Sequence, residues 1–475
     1  MAEPSSSESM KKLSRRTLLV VAIGLIAVIA VSSLVIYEDR VFNPAGSSRF
    51  WQRPIENFAT GLTADNDKVY VTDLFGTVSA YTTQSGRSVW NTSSDTGYFA
   101  SGLYLSPDKI YGSGMGASVG CIDKSTGKFQ WSFYGQIGTD LWTKKAPDTV
   151  VVSSDAVASI DGGVSVHNAN TGAFLWQASR PSYTATSFGN LTDLSNWWVG
   201  AYPLGGNPFE GNLVYVLTGN YSNPWVSKFN FETGNFAWNS NITLTSSPIA
   251  YPEAIPGYSG NAVSVIATYQ GQVIIQNINQ ILSFNSTSGY QLWGRDIGVS
   301  IYQPTLNDGM LLFGASDGNF YALNLSDGRT AWKTRVDGQN LISTVNNDNI
   351  TLSTYPIQVQ NNQVFWSFGI NQQLGTNSGN THDQSVGTVC SLELTSGKLL
   401  WTRQIEDPSG SYGFSPGLVV NKDAVYLTEN NALWVFGISN GDLSRTQRFD
   451  HYVLAPVVAG DIVFVASDLQ LTAYK

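Results

Sequence analysis

The sequence predicts an all-β chain, a β-propeller of stacked blades, preceded by one membrane-spanning helix. Three observations carry that reading. A short tag, Gly-x-x-x-Trp, recurs along most of the chain. Paired β-rich runs stand ahead of each tag, as in Val69-Tyr70-Val71 followed by Val78-Ser79-Ala80-Tyr81. An incomplete copy of the unit stands at each end of the repeat region. A unit this short cannot bury its own apolar face, so copies must stack on one another.

The tags come first. Gly and Trp pair as Gly86 with Trp90, Gly127 with Trp131, Gly172 with Trp176, Gly234 with Trp238, Gly289 with Trp293, Gly328 with Trp332 and Gly397 with Trp401. An eighth copy, Gly441, has Arg445 in place of Trp. Each unit reads as a strand (Leu311-Leu312-Phe313), a Gly turn, a second strand (Phe320-Tyr321-Ala322-Leu323), then a third strand carrying the Trp. Phe50-Trp51 looks like a tagged strand that lacks the strands before it. Residues 461–475 supply those strands and stop short of a Trp strand. Strand exchange between the two ends would close the ring and remove open sheet edges. Counting this hybrid gives nine units. Two units are long. One carries an insert at residues 181–211 and another a polar loop at 371–385, both candidates for contact surfaces.

The membrane segment is residues 17–37, TLLVVAIGLIAVIAVSSLVIY, uncharged and long enough to cross a hydrocarbon core of about 30 Å. Lys11, Lys12, Arg15 and Arg16 precede it, and Glu38 and Asp39 follow. Positive-inside bias gives a cytoplasmic tail (1–16), a signal-anchor helix (17–37), a stalk (38–49) and an extracytoplasmic propeller (50–475). A cleaved signal peptide is the competing reading; the apolar run is longer than a signal core and no A-x-A site follows.

Composition narrows the function. Charged residues are 13% of the chain, about half the usual share. The net charge of -9 argues against a nucleic-acid partner. Sequons at Asn91, Asn190, Asn220, Asn241, Asn285, Asn324 and Asn349 all follow the membrane segment and permit glycosylation of an exterior domain. Cys121 and Cys390 fall in strands of different units and read as buried free thiols. His167, His382 and His451 match no zinc spacing.

The repeats resemble the pyrroloquinoline-quinone (PQQ) propeller repeat over essentially all of residues 50–475. That family includes quinoprotein alcohol dehydrogenases and non-enzymatic scaffolds of the outer-membrane assembly lipoprotein type. The resemblance implies four-stranded blades, with eight the typical number. It also implies that Trp51, Trp90, Trp131, Trp176, Trp238, Trp293, Trp332 and Trp401 pack between neighbouring blades, where a large aromatic area supplies contact.

One stretch resembles the dehydrogenases more closely. Trp197-Trp198-Val199-Gly200-Ala201-Tyr202 precedes Tyr215-Val216-Leu217-Thr218-Gly219-Asn220. By that resemblance Trp197 would be the floor under PQQ and Asn220 a calcium ligand, a carboxamide oxygen suiting a hard cation. Other parts of that site depart from the pattern. No Cys pair stands near Trp131, Val157 takes the place of the calcium Glu, Glu253 is the only acid where the catalytic Asp belongs, and Tyr269-Gln270 replace the quinone-gripping Arg. A cofactor with three carboxylates would then lack its cation and its base. The expected function is therefore binding or scaffolding, with a protein or glycan partner on a propeller face. The alternatives are a divergent PQQ- and calcium-dependent alcohol dehydrogenase, and a glycosylated structural component of the cell envelope.

Overall fold

Runs rich in β-branched and aromatic residues, separated by Gly and Asx turns, favour antiparallel meanders. The computed structural model of the chain is built from them. It describes residues 49–475 apart from 94–102, 114–117, 135–149, 179–208, 243–262, 337–349, 375–381, 408–416 and gaps of one to three residues. Residues 17–37 lie outside the described residues. Among those described, no helix is long and apolar enough to cross a membrane.

The described strands form nine sheets, eight of four strands and one of five. Blade 1 comprises Ala59–Ala64, Lys68–Asp73, Thr77–Thr82 and Ser88–Ser93. Blade 2 runs from Leu103–Leu105 to Phe129–Tyr134, and blade 3 from Val150–Ser153 to Phe174–Ala178. Blade 4 spans Phe209–Glu210 to Phe236–Asn241, blade 5 Val263–Tyr269 to Gln291–Asp296, and blade 6 Ile301–Asn307 to Thr330–Arg335. Blade 7, the five-stranded sheet, runs from Ile350–Thr354 to Leu399–Asp407, and blade 8 from Gly417–Asn421 to Leu443–Arg448. In blade 9, Val457–Ala459, Ile462–Ser467 and Gln470–Tyr474 are completed by Arg49–Pro54 from the other end of the chain. First strands of successive blades touch at the 1–2, 2–3, 4–5, 5–6, 8–9 and 9–1 junctions. They face the propeller axis, and the fourth strands lie outermost.

Four details depart from the sequence reading. Each blade opens with a first strand that the repeat pattern did not separate, and the first described strand begins at Arg49 rather than at Phe50. The polar stretch 371–385 is sheet at both of its described ends. Gln363–Leu374 and His382–Glu393 pair along their whole length, through Asn371 with Ser385 and Leu374 with His382. Backbone pairing satisfies the ladder whatever the side chains, so polar residues there extend the hairpin. The insert at 181–211 ends in strand too, since Phe209 pairs with Val214.

Every outer strand carries the same irregularity. Trp90 is opposite Ala80, while Ser88 is opposite Tyr81, so Val89 is an extra residue. The shift recurs at Trp131, Trp176, Trp238, Trp293, Trp332, Trp401 and Arg445. It recurs at Trp51 as well, where Arg49 is opposite Tyr474 and Trp51 opposite Ala473, although no turn joins those strands. A bulge sharpens the local twist and turns an exposed edge away from foreign strands. It also accounts for the exposed apolar side chains of Phe50, Val89, Leu292 and Leu400, each the residue before the Trp.

Apolar clusters lie between blades as well as within them. Tyr302, Leu312 and Phe320 of blade 6 pack with Val364, Trp366 and Phe368 of blade 7. Gly314 leaves the room that the six-membered ring of Trp366 occupies. At the seam, Trp51, Ile462, Phe464 and Ala466 of blade 9 pack with Val69, Val71 and Tyr81 of blade 1.

Candidate functional site

The residues that recur most strictly build the blade junctions. In blade 2, Asp123 begins the tag turn. Its carbonyl accepts the Gly127 amide at 2.8 Å, and its own amide donates to Lys128 O at 2.9 Å. Its Oδ1 accepts the Ser125 and Thr126 amides at 3.0 and 2.8 Å. Asn168, Asn230 and Asn285 hold the same place in blades 3, 4 and 5 and cap the turn through a carboxamide oxygen. The turn needs a left-handed residue, and the tag glycines supply it, with φ between 62° at Gly86 and 76° at Gly289.

Those glycines do a second job. The indole of one blade lies against the tag Gly of the next, so that a Cβ on Gly86 would stand 2.6 Å from Trp51 Cε3 and one on Gly172 2.7 Å from Trp131 Cδ2. The same contact joins Trp90 to Gly127, Trp238 to Gly289, Trp293 to Gly328, Trp332 to Gly397 and Trp401 to Gly441. Each indole N–H then donates to the carbonyl one residue into that turn. Trp51 reaches Thr83 O at 2.8 Å, Trp90 reaches Lys124 O at 3.2 Å, and Trp131 reaches Ala169 O at 3.0 Å. Trp238 reaches Ser286 O and Trp293 reaches Leu325 O, both at 3.0 Å. Trp332 reaches Leu394 O and Trp401 reaches Ile438 O, both at 2.9 Å. A buried carbonyl without a partner is costly, and each indole supplies one along with its area. In blade 5 the Ser286 carbonyl also accepts Lys228 Nζ, whose ammonium lies 5.2 Å from the Tyr215 ring centroid.

Among the described junctions, Arg445 marks the one built otherwise. Blade 9 has no tag turn, because its third strand ends at Tyr474 and its fourth starts at Arg49. Neither a tag glycine nor a turn carbonyl is there to receive an indole. The Arg445 guanidinium is buried and lies 5.2 Å from the Tyr474 ring centroid, a cation against an aromatic ring. Tyr474 donates its hydroxyl proton to Gln447 Oε1 at 2.7 Å.

Between blades 1 and 2, a cleft of about 470 Å³ is lined by Asp65, Asn66, Asp67, Lys68, Pro107, Asp108, Asp123, Lys124 and Ser125. One ion pair crosses the junction, with Lys124 Nζ 2.7 Å from Asp65 Oδ2. Burial pushes the Asp65 carboxyl up, but the Lys124 ammonium and the Lys68 and Asp67 amides outweigh it and hold its pKa below the ordinary value. The Ser125 hydroxyl, then the Thr126 amide and hydroxyl, draw Asp123 down to about 2. A depressed folded-state pKa contributes stability above the unfolded value and loses it as pH falls. Asp123→Asn is therefore expected to cost stability at neutral pH, and its deficit should shrink between about pH 4 and pH 2. Unfolding midpoints of both proteins across that range check it.

The two thiols are buried and unpaired by disulfide. Burial pushes each up to about 12. Thiolate is the reactive form. Iodoacetamide at pH 8 is expected to leave both unmodified in the folded protein and to label both after denaturation, as read by intact mass.

The residues singled out for a quinone do not assemble among those described. Trp197 and Glu253 lie outside the described residues, as do the sequons Asn190 and Asn349. Asn220 ends the strand Leu213–Asn220, in register with Asn223. Val157 pairs with Val152 and His167 in blade 3. Gln270 and Gly271 form a hairpin turn with φ of 45° and 77°, and Tyr269 packs against the apolar cluster of Leu311 and Phe313. Where a tricarboxylate cofactor would need a cation, the chain places a turn and a packed ring. No group of three or more His, Cys, Asp or Glu side chains that could hold a metal ion occurs among the described residues. Val157, Tyr269 and Gln270 supply neither a calcium carboxylate nor a cation for such a cofactor.

Of the remaining sequons, Asn91 and Asn241 are exposed on outer strands, while Asn285 and Asn324 stand at the start of tag turns.

Comparison with known proteins follows the same lines. Residues 38–274 and 222–475 match the family described as outer membrane protein assembly factor BamB, the overlap reflecting the internal repeat. Two relatives carry that description. The one from Yersinia pestis is 22% identical over 266 residues, which is 49% of this chain and 64% of that protein. The one from Moranella endobia (strain PCIT) is 23% identical over 311 residues, or 63% of this chain and 66% of that protein. The chain thus spans just under two thirds of the length of each. The crystal structure of BamB from Moraxella catarrhalis aligns over 91% of this chain and 98% of its own at 12% identity, with a TM-score of 0.49. The quinohemoprotein alcohol dehydrogenase from Comamonas testosteroni aligns over 90% and 76% at 11% identity, also with a TM-score of 0.49.

Proposed function

Because the chain belongs to the family of the outer membrane protein assembly factor BamB, we propose that it is a membrane-anchored scaffold that binds envelope proteins on the extracytoplasmic side. One observation carries this reading. The family match runs from residue 38 to residue 475, over a repeat whose most regular residues are engaged in holding blade to blade. Function on such a ring falls to the loops and turns of its faces.

The scaffold has four further parts. Residues 17–37 are the anchor, with the tail 1–16 in the cytoplasm. Arg49–Pro54 closes the ring on blade 9. Trp51, Trp90, Trp131, Trp176, Trp238, Trp293, Trp332 and Trp401 are its inter-blade packing residues. Asn91 and Asn241, exposed on the rim, are the sequons best placed to carry glycans. The partner is a protein, or a glycan borne by one.

Native purification of the full chain from membranes, followed by mass spectrometry, tests the assignment. Stoichiometric co-purification of envelope proteins is expected, with the propeller digested by protease added to intact cells. Turnover of alcohols with an electron-accepting dye, after incubation with PQQ and calcium, would overturn it in favour of a dehydrogenase. Protection of the propeller in intact cells would overturn the topology.

A further inference from the structure

In a four-stranded meander the turns after the first and third strands share one end of the sheet, and the turn after the second strand lies at the other. The tag turns therefore mark one face of the propeller. Arg49 enters blade 9 at that face, opposite Tyr474, whereas Pro54 leaves at the far face, opposite Gln470. Large apolar side chains are exposed at the far face of the seam between blades 9 and 1. Phe58 is 48% exposed, Leu74 51% and Phe75 61%, and Tyr452 and Leu469 are exposed beside them.

The backbone that carries them is held in place. Asp73 Oδ1 accepts the amides of Phe75 and Thr77 at 2.9 and 2.8 Å, and its Oδ2 accepts from Asn57 Nδ2 at 2.8 Å. The Leu74 amide donates to Phe58 O at 3.0 Å. The Phe58 ring meets His451 edge-on, 5.4 Å between centroids, tying a blade 1 turn to a blade 9 loop. At the turn where blade 1 places Leu74-Phe75, the described residues of blades 5, 6 and 8 are Asn279, Asp317-Gly318 and Asn431. A rigid turn that presents two large apolar side chains is a feature of an interaction surface.

Charge and chain direction select the occupant. The three segments that form the patch, 54–58, 73–77 and 449–456, contribute exposed Glu56 and Asp450 and contain no Lys or Arg. Arg49 enters at the opposite face, so under the scaffold reading the patch lies on the face away from the anchor side. We infer that this seam patch docks an amphipathic segment of an envelope protein that carries Lys or Arg beside its apolar side chains. The inference rests on the scaffold reading and names the chemistry of its partner.

The test uses the full chain in nanodiscs of zwitterionic lipid, with empty nanodiscs as the blank. The probes are a fluorescent twelve-residue peptide alternating Leu and Lys and its Leu/Glu counterpart. The Leu/Lys peptide is expected to bind at least tenfold more tightly than the Leu/Glu peptide. Phe75→Asp should weaken its binding at least tenfold, and Glu56→Lys with Asp450→Lys should weaken it while leaving tryptophan fluorescence unchanged. Equal binding of both peptides, no binding of either, or binding untouched by Phe75→Asp would overturn the inference. So would a concentration-dependent dimer that Phe75→Asp abolishes, which would assign the patch to a second copy, or retention on anionic vesicles lost in the same variant, which would assign it to lipid. Co-purification of envelope partners that survives Phe75→Asp would leave the scaffold reading standing and sink this one alone.

Discussion

Deleting Arg49–Pro54 from the full chain, with residues 48 and 55 joined, is expected to cost on the order of 5 kcal/mol or more and to expose blade 9 to limited proteolysis. The strand supplies the whole outer ladder of that blade, with Trp51 opposite Ala473 and Pro54 opposite Gln470. It also delivers an indole, 5.6 Å from Phe464 between ring centroids, to the cluster that joins blade 9 to blade 1. Without it, Gln470–Tyr474 becomes an unpaired edge beside an emptied pocket. The complementary change strengthens the same link. Gln52 and Thr472 are register partners, and a disulfide from Gln52→Cys with Thr472→Cys is expected to stabilise by up to about 5 kcal/mol, because it closes nearly the whole propeller into one loop. Thermal unfolding of the two variants, with and without reductant, measures both effects. An unchanged midpoint and digestion pattern after the deletion would show that the ring does not depend on that strand.

Trp332→Ala is expected to destabilise by about 3–5 kcal/mol, the range for removing a buried large aromatic side chain. Trp332 is 9% exposed, stacks on Phe320 at 5.9 Å and 19°, and lies against the Gly397 turn of blade 7. Its loss also strips the Leu394 carbonyl of a 2.9 Å partner. Trp332→Phe keeps much of the area and gives up the N–H donor, so a smaller cost of about 1–2 kcal/mol should remain. Gly397→Ala attacks the junction from the other side, through a φ of 69° and a Cβ driven into the indole. The double variant Trp332→Ala with Gly397→Ala should cost less than the sum of the singles, since the clash disappears with the ring. Denaturant midpoints of the four proteins decide the matter, and strict additivity would mean that the contact carries no coupling.

Much of this architecture was legible in the residues. The tag spacing located the outer strands, and the split copy at Trp51 and residues 461–475 pointed to the pairing of Arg49–Pro54 with Gln470–Tyr474. Its partner atoms were not legible. The sequence pairs each Trp with the Gly four residues before it, whereas the structure sets that Trp against the tag Gly of the following blade, beyond the reach of any local pattern. A usable signal was present in the Asp or Asn four residues ahead of the Gly, at Asp123, Asn168, Asn230, Asn285 and Asn324, which starts the receiving turn. Arg445 read as a lapse in the repeat; it stands where the next blade has no turn to offer. The stretch 371–385 read as a loop because its side chains are polar, but β-ladders are satisfied through the backbone. The seam patch was hidden for a simpler reason. Phe58, Phe75 and Tyr452 are far apart in sequence, and only the meeting of the two chain ends brings their segments together.

The pairing of Arg49–Pro54 with Gln470–Tyr474 also sets a timetable. The earliest strand to leave the ribosome waits for the last, and at about 5–20 residues per second that wait lasts on the order of tens of seconds. Throughout it, the emerging blades can stack on one another in sequence order, while Arg49–Pro54 has no mate. Until Tyr474 arrives, that strand, with Phe50 and Trp51 in it, must stay clear of other unpaired edges.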